Sequence, residues 1–150
     1  MNDDAKIYQE HRFALTRYAT VLAGPDEAPD IVSAVIIRAL EKAGGLGGLR
    51  DPRPYLMKAV LNEVRSRLRR RQVVSFVPLG EAAGPTVTDH HDNALDLVAA
   101  LPPRQRAAAF LVYWEQHTPT EAAQLMGCRP ATVRRYLHLA RSKLKEALDG

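Results

Sequence analysis

Apolar positions along the first third of the chain fall at helical spacing. From Tyr8 to Leu22, the residues Phe13, Leu15, Tyr18, Ala19 and Leu22 recur mostly three and four apart, which predicts one helix with these on its inner face. Gly24 and Pro25 stop it. Asp26 suits the N-cap of a second helix, with Pro29 in the tolerant first turn and Ile31, Val32, Val35, Ile36, Ala39 and Leu40 as its core face. The run from Gly44 to Gly48 ends that helix and is expected to be a flexible loop. Asp51, Pro52, Arg53 and Pro54 open a third helix, with Tyr55, Leu56, Ala59, Val60, Val64 and Leu68 as its apolar stripe.

The pattern lapses between Gln72 and Asp96. Val73, Val74, Phe76 and Val77 have strand-like composition but no second run to pair with, so this segment is expected to be an extended tether. Helical spacing resumes at Leu95, Leu97, Val98 and Leu101. Pro102 and Pro103 break that helix and begin another from about Arg104 to His117, in which Tyr113 and Trp114 read as core residues. Thr118, Pro119 and Glu121 form a capping-box pattern at the head of a short helix that ends at Gly127, and a last helix follows from about Pro130 to Leu148. The expected fold class is all-α: a helical domain over 1–72, a flexible acidic linker over 73–94 and a second helical domain over 95–150.

Composition sharpens this outline. The 150 residues are 46% hydrophobic and 25% charged, which suits one compact domain or two small ones. Net charge is only +4, but it is unevenly spread. Arg50 to Gln72 holds eight basic and two acidic residues, and Arg129 to Lys145 holds six basic and no acidic ones. Val73 to Asp96 between them holds four acids and no Lys or Arg. Two helices are thus candidate polyanion-binding faces. Cys128 is the one cysteine, which excludes an internal disulfide or a multi-cysteine zinc site and reads as a small turn residue. No apolar run is long enough for a membrane span or follows a basic start as a signal peptide would, so a cytoplasmic location is expected.

The stretch TPTEAAQLMGCRPATVRRYLHLARSKLKEAL has the requirements of a helix-turn-helix. Ala122 and Ala123 are small where two helices cross, Leu125 faces inward, and Gly127 tolerates a left-handed turn. Val133, Leu137, Ala140 and Leu144 form the inner stripe of the second helix. Its other face carries Arg129, Thr132, Arg134, Arg135, Tyr136 and His138, where residues near the N-terminus meet base edges and flanking cations meet phosphates. Upstream, Tyr55, Lys58, Asn62, Arg65, Arg67, Arg69, Arg70 and Arg71 line one helix. Such cations fit a phosphate backbone, and Tyr55 and Asn62 suit an unstacked base.

No catalytic constellation emerges. His90, His91 and Asp92 are the one cluster a metal hydrolase would use, but they stand in the linker with no second ligand set on a rigid element. Gly44 to Gly48 lacks the Lys and Ser or Thr of a phosphate-binding loop. A non-enzymatic protein without metal or cofactor is expected.

Taken together, FALTRYATVLAGPDEAPDIVSAVIIRALEKAG and RDPRPYLMKAVLNEVRSRLRRR resemble region two of extracytoplasmic-function sigma factors of bacterial RNA polymerase. LVAALPPRQRAAAFLVYWEQHTPTEAAQLMGCRPATVRRYLHLARSKL resembles their region four, in the actinobacterial style. The resemblance implies binding to core RNA polymerase, recognition of two promoter elements and help with DNA melting. By matching positions it implies that Arg129, Thr132, Arg134, Arg135 and His138, with Tyr136 on the same face, contact the −35 element. Arg53, Tyr55, Lys58, Asn62, Arg65, Arg69, Arg70 and Arg71 would face the −10 element, and Asp30, Val32 and Arg38 would dock on the polymerase clamp. An anti-sigma factor or helper protein is a further partner that such relatives use, on which the residues themselves are silent. Two departures stand out. The docking helix usually reads D-L-V-Q-E, where this chain has Asp30, Ile31, Val32, Ser33 and Ala34, and Tyr136 and Leu139 replace residues that are basic in many relatives. The Ser33–Ala34 change is what a sigma-like DNA-binding regulator that no longer programmes polymerase would show.

Overall fold

The computed structural model describes residues 3–42, 44–74 and 94–149. Among them are seven α-helices and no strand, in the order α1 (Asp3–Ala23), α2 (Ala28–Lys42), α3 (Pro52–Val74), α4 (Ala94–Ala99), α5 (Pro103–Ala109), α6 (Pro119–Met126) and α7 (Pro130–Asp149). A 3-10 turn at Leu46–Gly48 precedes α3, and a π-helical turn at Phe110–Trp114 continues α5.

The first helix buries Leu15, Tyr18, Ala19 and Leu22 as its spacing predicts. Phe13 does not join them and is 77% exposed. It lies two residues from Leu15, about 200° around the helix, so it points away from that face. Gly24 ends α1 at φ +94, its N–H bonded to the Thr20 carbonyl. The second helix starts at Ala28, so Asp26 lies in the connecting turn rather than at the cap. Its stripe is as read, except that Leu40 is 37% exposed.

The glycine run is not the free loop its composition suggests. Leu46 is buried, and Asp4 Oδ1 accepts from the backbone N–H of Leu46 at 2.7 Å and of Gly47 at 3.2 Å. Gly45 at φ +110 brings the chain to that carboxylate, where a Cβ would lie 3.0 Å from Asp4 Oδ1. An acid 42 residues upstream thus anchors the turn.

Helix α3 turns Leu56, Met57, Val60, Leu61 and Val64 inward. Met57 and Leu61 were absent from the expected stripe, while Tyr55 was in it and is 42% exposed. Val73 and Val74 continue α3 rather than forming extended chain. The rest of the acidic linker, with His90, His91 and Asp92, lies outside the described residues.

The two helical groups share one core. Leu15, Tyr18, Val60 and Leu61 from the front half form a single cluster with Phe110, Leu111, Met126 and Val133 from the back half. Burying such side chains contributes roughly 1.5–3 kcal/mol each, which offsets the thin core that either group would have alone. A smaller cluster of Val98, Leu101, Ala109 and Ala140 sits beside it, and half-buried Trp114 packs against both. Tyr113, in contrast, is on the surface rather than in the core. The Tyr18 and Phe110 rings stack across the junction at 6.4 Å, and the Arg17 guanidinium lies 5.6 Å over Phe110 while pairing with Glu115 at 2.7 Å.

Candidate nucleic-acid interface

The back half builds a helix-turn-helix from local rules. Thr118 Oγ1 accepts from the Glu121 N–H at 3.1 Å, and Glu121 Oε1 accepts from the Thr118 N–H at 2.8 Å, closing the capping box that starts α6. Those hydrogen bonds hold the Glu121 carboxyl below its ordinary pKa. Gly127 ends α6 in the left-handed region (φ 75, ψ 39), with its N–H on the Ala123 carbonyl at 2.8 Å. Ala122, Ala123 and Leu125 are buried as expected. Cys128 is half-buried and its thiol is pushed up by burial, which fits an inert turn residue.

Helix α7 presents the predicted second face. Val133, Leu137 and Ala140 are buried and Leu144 is half-buried. Arg129, Arg134, Arg135 and His138 are exposed, with Thr132 half-buried among them. Tyr136 leans inward instead and packs against the core.

The α3 set divides in two. Lys58, Asn62 and Arg65 line a cleft of ≈ 190 Å³ whose far wall is Arg104, Gly127 and Tyr136. A Cβ on Gly127 would lie 2.5 Å from Lys58 Cδ, so the lysine stem crosses the turn of the helix-turn-helix at glycine. Burial, then the like charges of Arg104 and Arg69, hold Arg65 below the ordinary guanidinium pKa. These three residues therefore border the back half across the cleft, Lys58 and Asn62 still exposed and Arg65 half-buried. Arg53 is also engaged, donating from Nε to His11 Nδ1 at 2.9 Å, and burial followed by Arg53 lowers the pKa of that histidine. Tyr55 and Arg69 remain exposed.

On the opposite side of α3 lies a group that the periodicity did not announce. Glu63 is 4% exposed, the one buried charged residue among those described. Its Oε1 accepts from Arg38 Nη2 at 2.7 Å and its Oε2 from Arg67 Nε at 2.7 Å, with Arg70 Nη2 at 3.5 Å. Arg67 also reaches Asp30 at 2.8 Å, and Arg71 pairs with Glu27. Burial alone would raise the Glu63 carboxyl, but hydrogen bonds from Arg67 and Arg38 outweigh it and hold the pKa below the usual range. Arg70 and Arg71 are thus partly matched by acids of their own chain. Val32 departs furthest from the expected docking set: it is buried in the core and offers no surface to a partner. Asp30 and Arg38 lie at its rim, tied to α3. The sequence signal for this group was a lone acid, Glu63, within a run of cations and one turn before Arg67.

Among the described residues no three metal-ligating side chains converge, and no helix is long and apolar enough to cross a membrane. The geometry defines a DNA-binding protein in which a helix-turn-helix is packed on a basic three-helix unit. Residues 91–144 match the family described as Sigma-70, region 4. An RNA polymerase sigma-E factor of Streptomyces avermitilis is 31% identical over 91% of this chain and 80% of its own length. Sigma-E factors of Streptomyces antibioticus and Streptomyces coelicolor are each 30% identical, over 83% and 90% of this chain and 72% and 80% of their own lengths. The sigma factor RpoE of Bartonella quintana, crystallised with the anti-sigma factor NepR, shares the fold with a TM-score of 0.69 over 96% of this chain and 97% of its own, at 23% identity. The chain belongs to the extracytoplasmic-function sigma factors of bacterial RNA polymerase, the expected fold class and family, and its role is in transcription initiation.

Proposed function

We propose that this sigma factor binds core RNA polymerase in the cytoplasm and places α7 on the −35 element and α3 on the −10 element of its promoters, without a catalytic step, metal or cofactor of its own. The observation that supports this best is the exposed cationic face of α7. Arg129, Thr132, Arg134, Arg135 and His138 stand just before or along the first half of the second helix of a formed helix-turn-helix, whose head enters a major groove. Asp30 and Arg38 belong to the docking face on α2. An anti-sigma factor is a natural partner, since a protein of this fold is seen with one.

The closed packing adds a step. One turn of duplex advances about 34 Å, and separate promoter elements require the two readers to be spread along it. Here Lys58, Asn62 and Arg65 lie across one small cleft from the turn of the helix-turn-helix. The halves therefore separate before both elements are read. Trp114, the one tryptophan, packs against both clusters and reports that separation.

The test is a pull-down with purified bacterial core RNA polymerase, followed by transcription from a fragmented genomic template. Stable binding with new, discrete start sites is expected, accompanied by a red shift of Trp114 emission. DNA binding with no polymerase binding would overturn the reading in favour of a sigma-like regulator.

A further inference from the structure

Glu63 has no place in the reading above. It lies on the side of α3 away from the cleft, and its carboxylate is buried in what would otherwise be an apolar seam between α2 and α3. Stability is a weak reason for such a group, because an apolar residue of similar volume is often at least as stable as a buried ion pair. What the carboxylate does uniquely is hold side chains in place. Arg38 is half-exposed on α2, and an unrestrained arginine there would give up rotamer freedom on meeting a partner. Both Glu63 oxygens are committed: Oε1 to Arg38, and Oε2 to Arg67, which in turn holds Asp30.

We infer that Glu63 is a positioning residue for polymerase docking, presenting Arg38 directly and Asp30 through Arg67 in fixed directions on α2. Asp30, Ala34 and Arg38 stand one per turn on the same stripe of that helix. Glu63 is tied to both ends of the stripe, and Ala34 occupies its middle, where the D-L-V-Q-E pattern has glutamate. A glutamate at position 34 would stand one turn before Arg38, within reach of the guanidinium that Glu63 holds from α3. The same network joins α2 to the helix that carries the −10 residues, so docking and promoter reading share one rigid unit.

The inference rests on the polymerase-binding reading, and its test separates the two. Titration of core RNA polymerase with the full chain is compared for the unaltered protein, Glu63→Gln, Glu63→Leu and Glu63→Leu with Ala34→Glu. Loss of about tenfold in polymerase affinity is expected for both single variants, with binding of a −35 duplex through α7 unchanged. Restoration of most of that affinity by Ala34→Glu is expected, which a mere packing role for Glu63 would not produce. Arg38→Ala should weaken the unaltered protein but add little to Glu63→Leu, since its partner is already gone. Glu63→Gln keeps the size of the side chain and covers the case in which the leucine variant does not fold. Unchanged affinity in a folded Glu63 variant, or failure of Ala34→Glu to restore it, would overturn the inference alone. No binding by the unaltered chain would overturn both readings.

Discussion

The guanidinium of Arg106, in α5, donates to the backbone carbonyl of Leu22, at the end of α1, at 2.5 Å. The same side chain donates to the Leu101 carbonyl from Nε at 3.1 Å and from Nη2 at 2.7 Å. One arginine therefore occupies two carbonyls that would otherwise be orphaned, one of them 84 residues before it in the chain, and joins the two halves of the molecule. Arg106→Met removes these bonds while keeping much of the stem. It should cost about 1–3 kcal/mol in urea unfolding and shift Trp114 emission toward that of exposed indole.

Tyr18 is fully buried, and its hydroxyl has no hydrogen-bond partner among the described residues. Burial raises its pKa, so the group stays neutral throughout the working range. Removing an unpaired buried hydroxyl relieves its desolvation. Tyr18→Phe should leave stability unchanged or raise it by up to about 1 kcal/mol, as read from the denaturation midpoint.

Gly127 serves two constraints, a left-handed φ and the crossing of Lys58. Gly127→Ala should cost about 1–2 kcal/mol in thermal unfolding. Lys58→Ala should recover part of that loss, because it removes the clash but not the φ penalty. A purely additive double-mutant cycle would show that the lysine stem does not lie on the turn in solution.

Acid should weaken the fold through two carboxylates. Glu63, faced by Arg38, Arg67 and Arg70, and Glu121, bonded to Thr118 with His117 nearby, both have folded pKa values below their unfolded ones. Their stabilisation is complete above the unfolded carboxylate value and is lost as pH falls through the lowered one. Glu63→Gln should flatten the acid limb of the stability profile as pH falls below the ordinary carboxylate range.

DNA binding should fall steeply with salt, since neutralised phosphates release counterions. Replacing exposed Arg135 with alanine should reduce the slope of log affinity against log salt by about 1, measured on a −35 duplex. An unchanged slope would place this residue away from the phosphates.

Local patterns accounted for much of the molecule. The capping box at Thr118, the glycine turn at 127 and the α7 stripe of Val133, Leu137 and Ala140 depend on neighbours within a few residues, so the sequence displays them directly. The all-α class and the exposed basic face of α7 follow from the same short-range chemistry. Tertiary structure decided the rest. Asp4 turns a glycine run into an anchored turn, and Val32 proves to be core. Glu63 looks in sequence like one acid among cations, but becomes the hub between α2 and α3 because folding brings Arg38 to it. Composition separated two basic segments by an acidic tether but could not show that Tyr18 stacks on Phe110 and Arg106 reaches Leu22. Sequence periodicity shows which face of a helix is apolar but not which other helix covers it. That choice depends on how shapes and charges distant in the chain fit together, and here it packed one proposed DNA reader against the other.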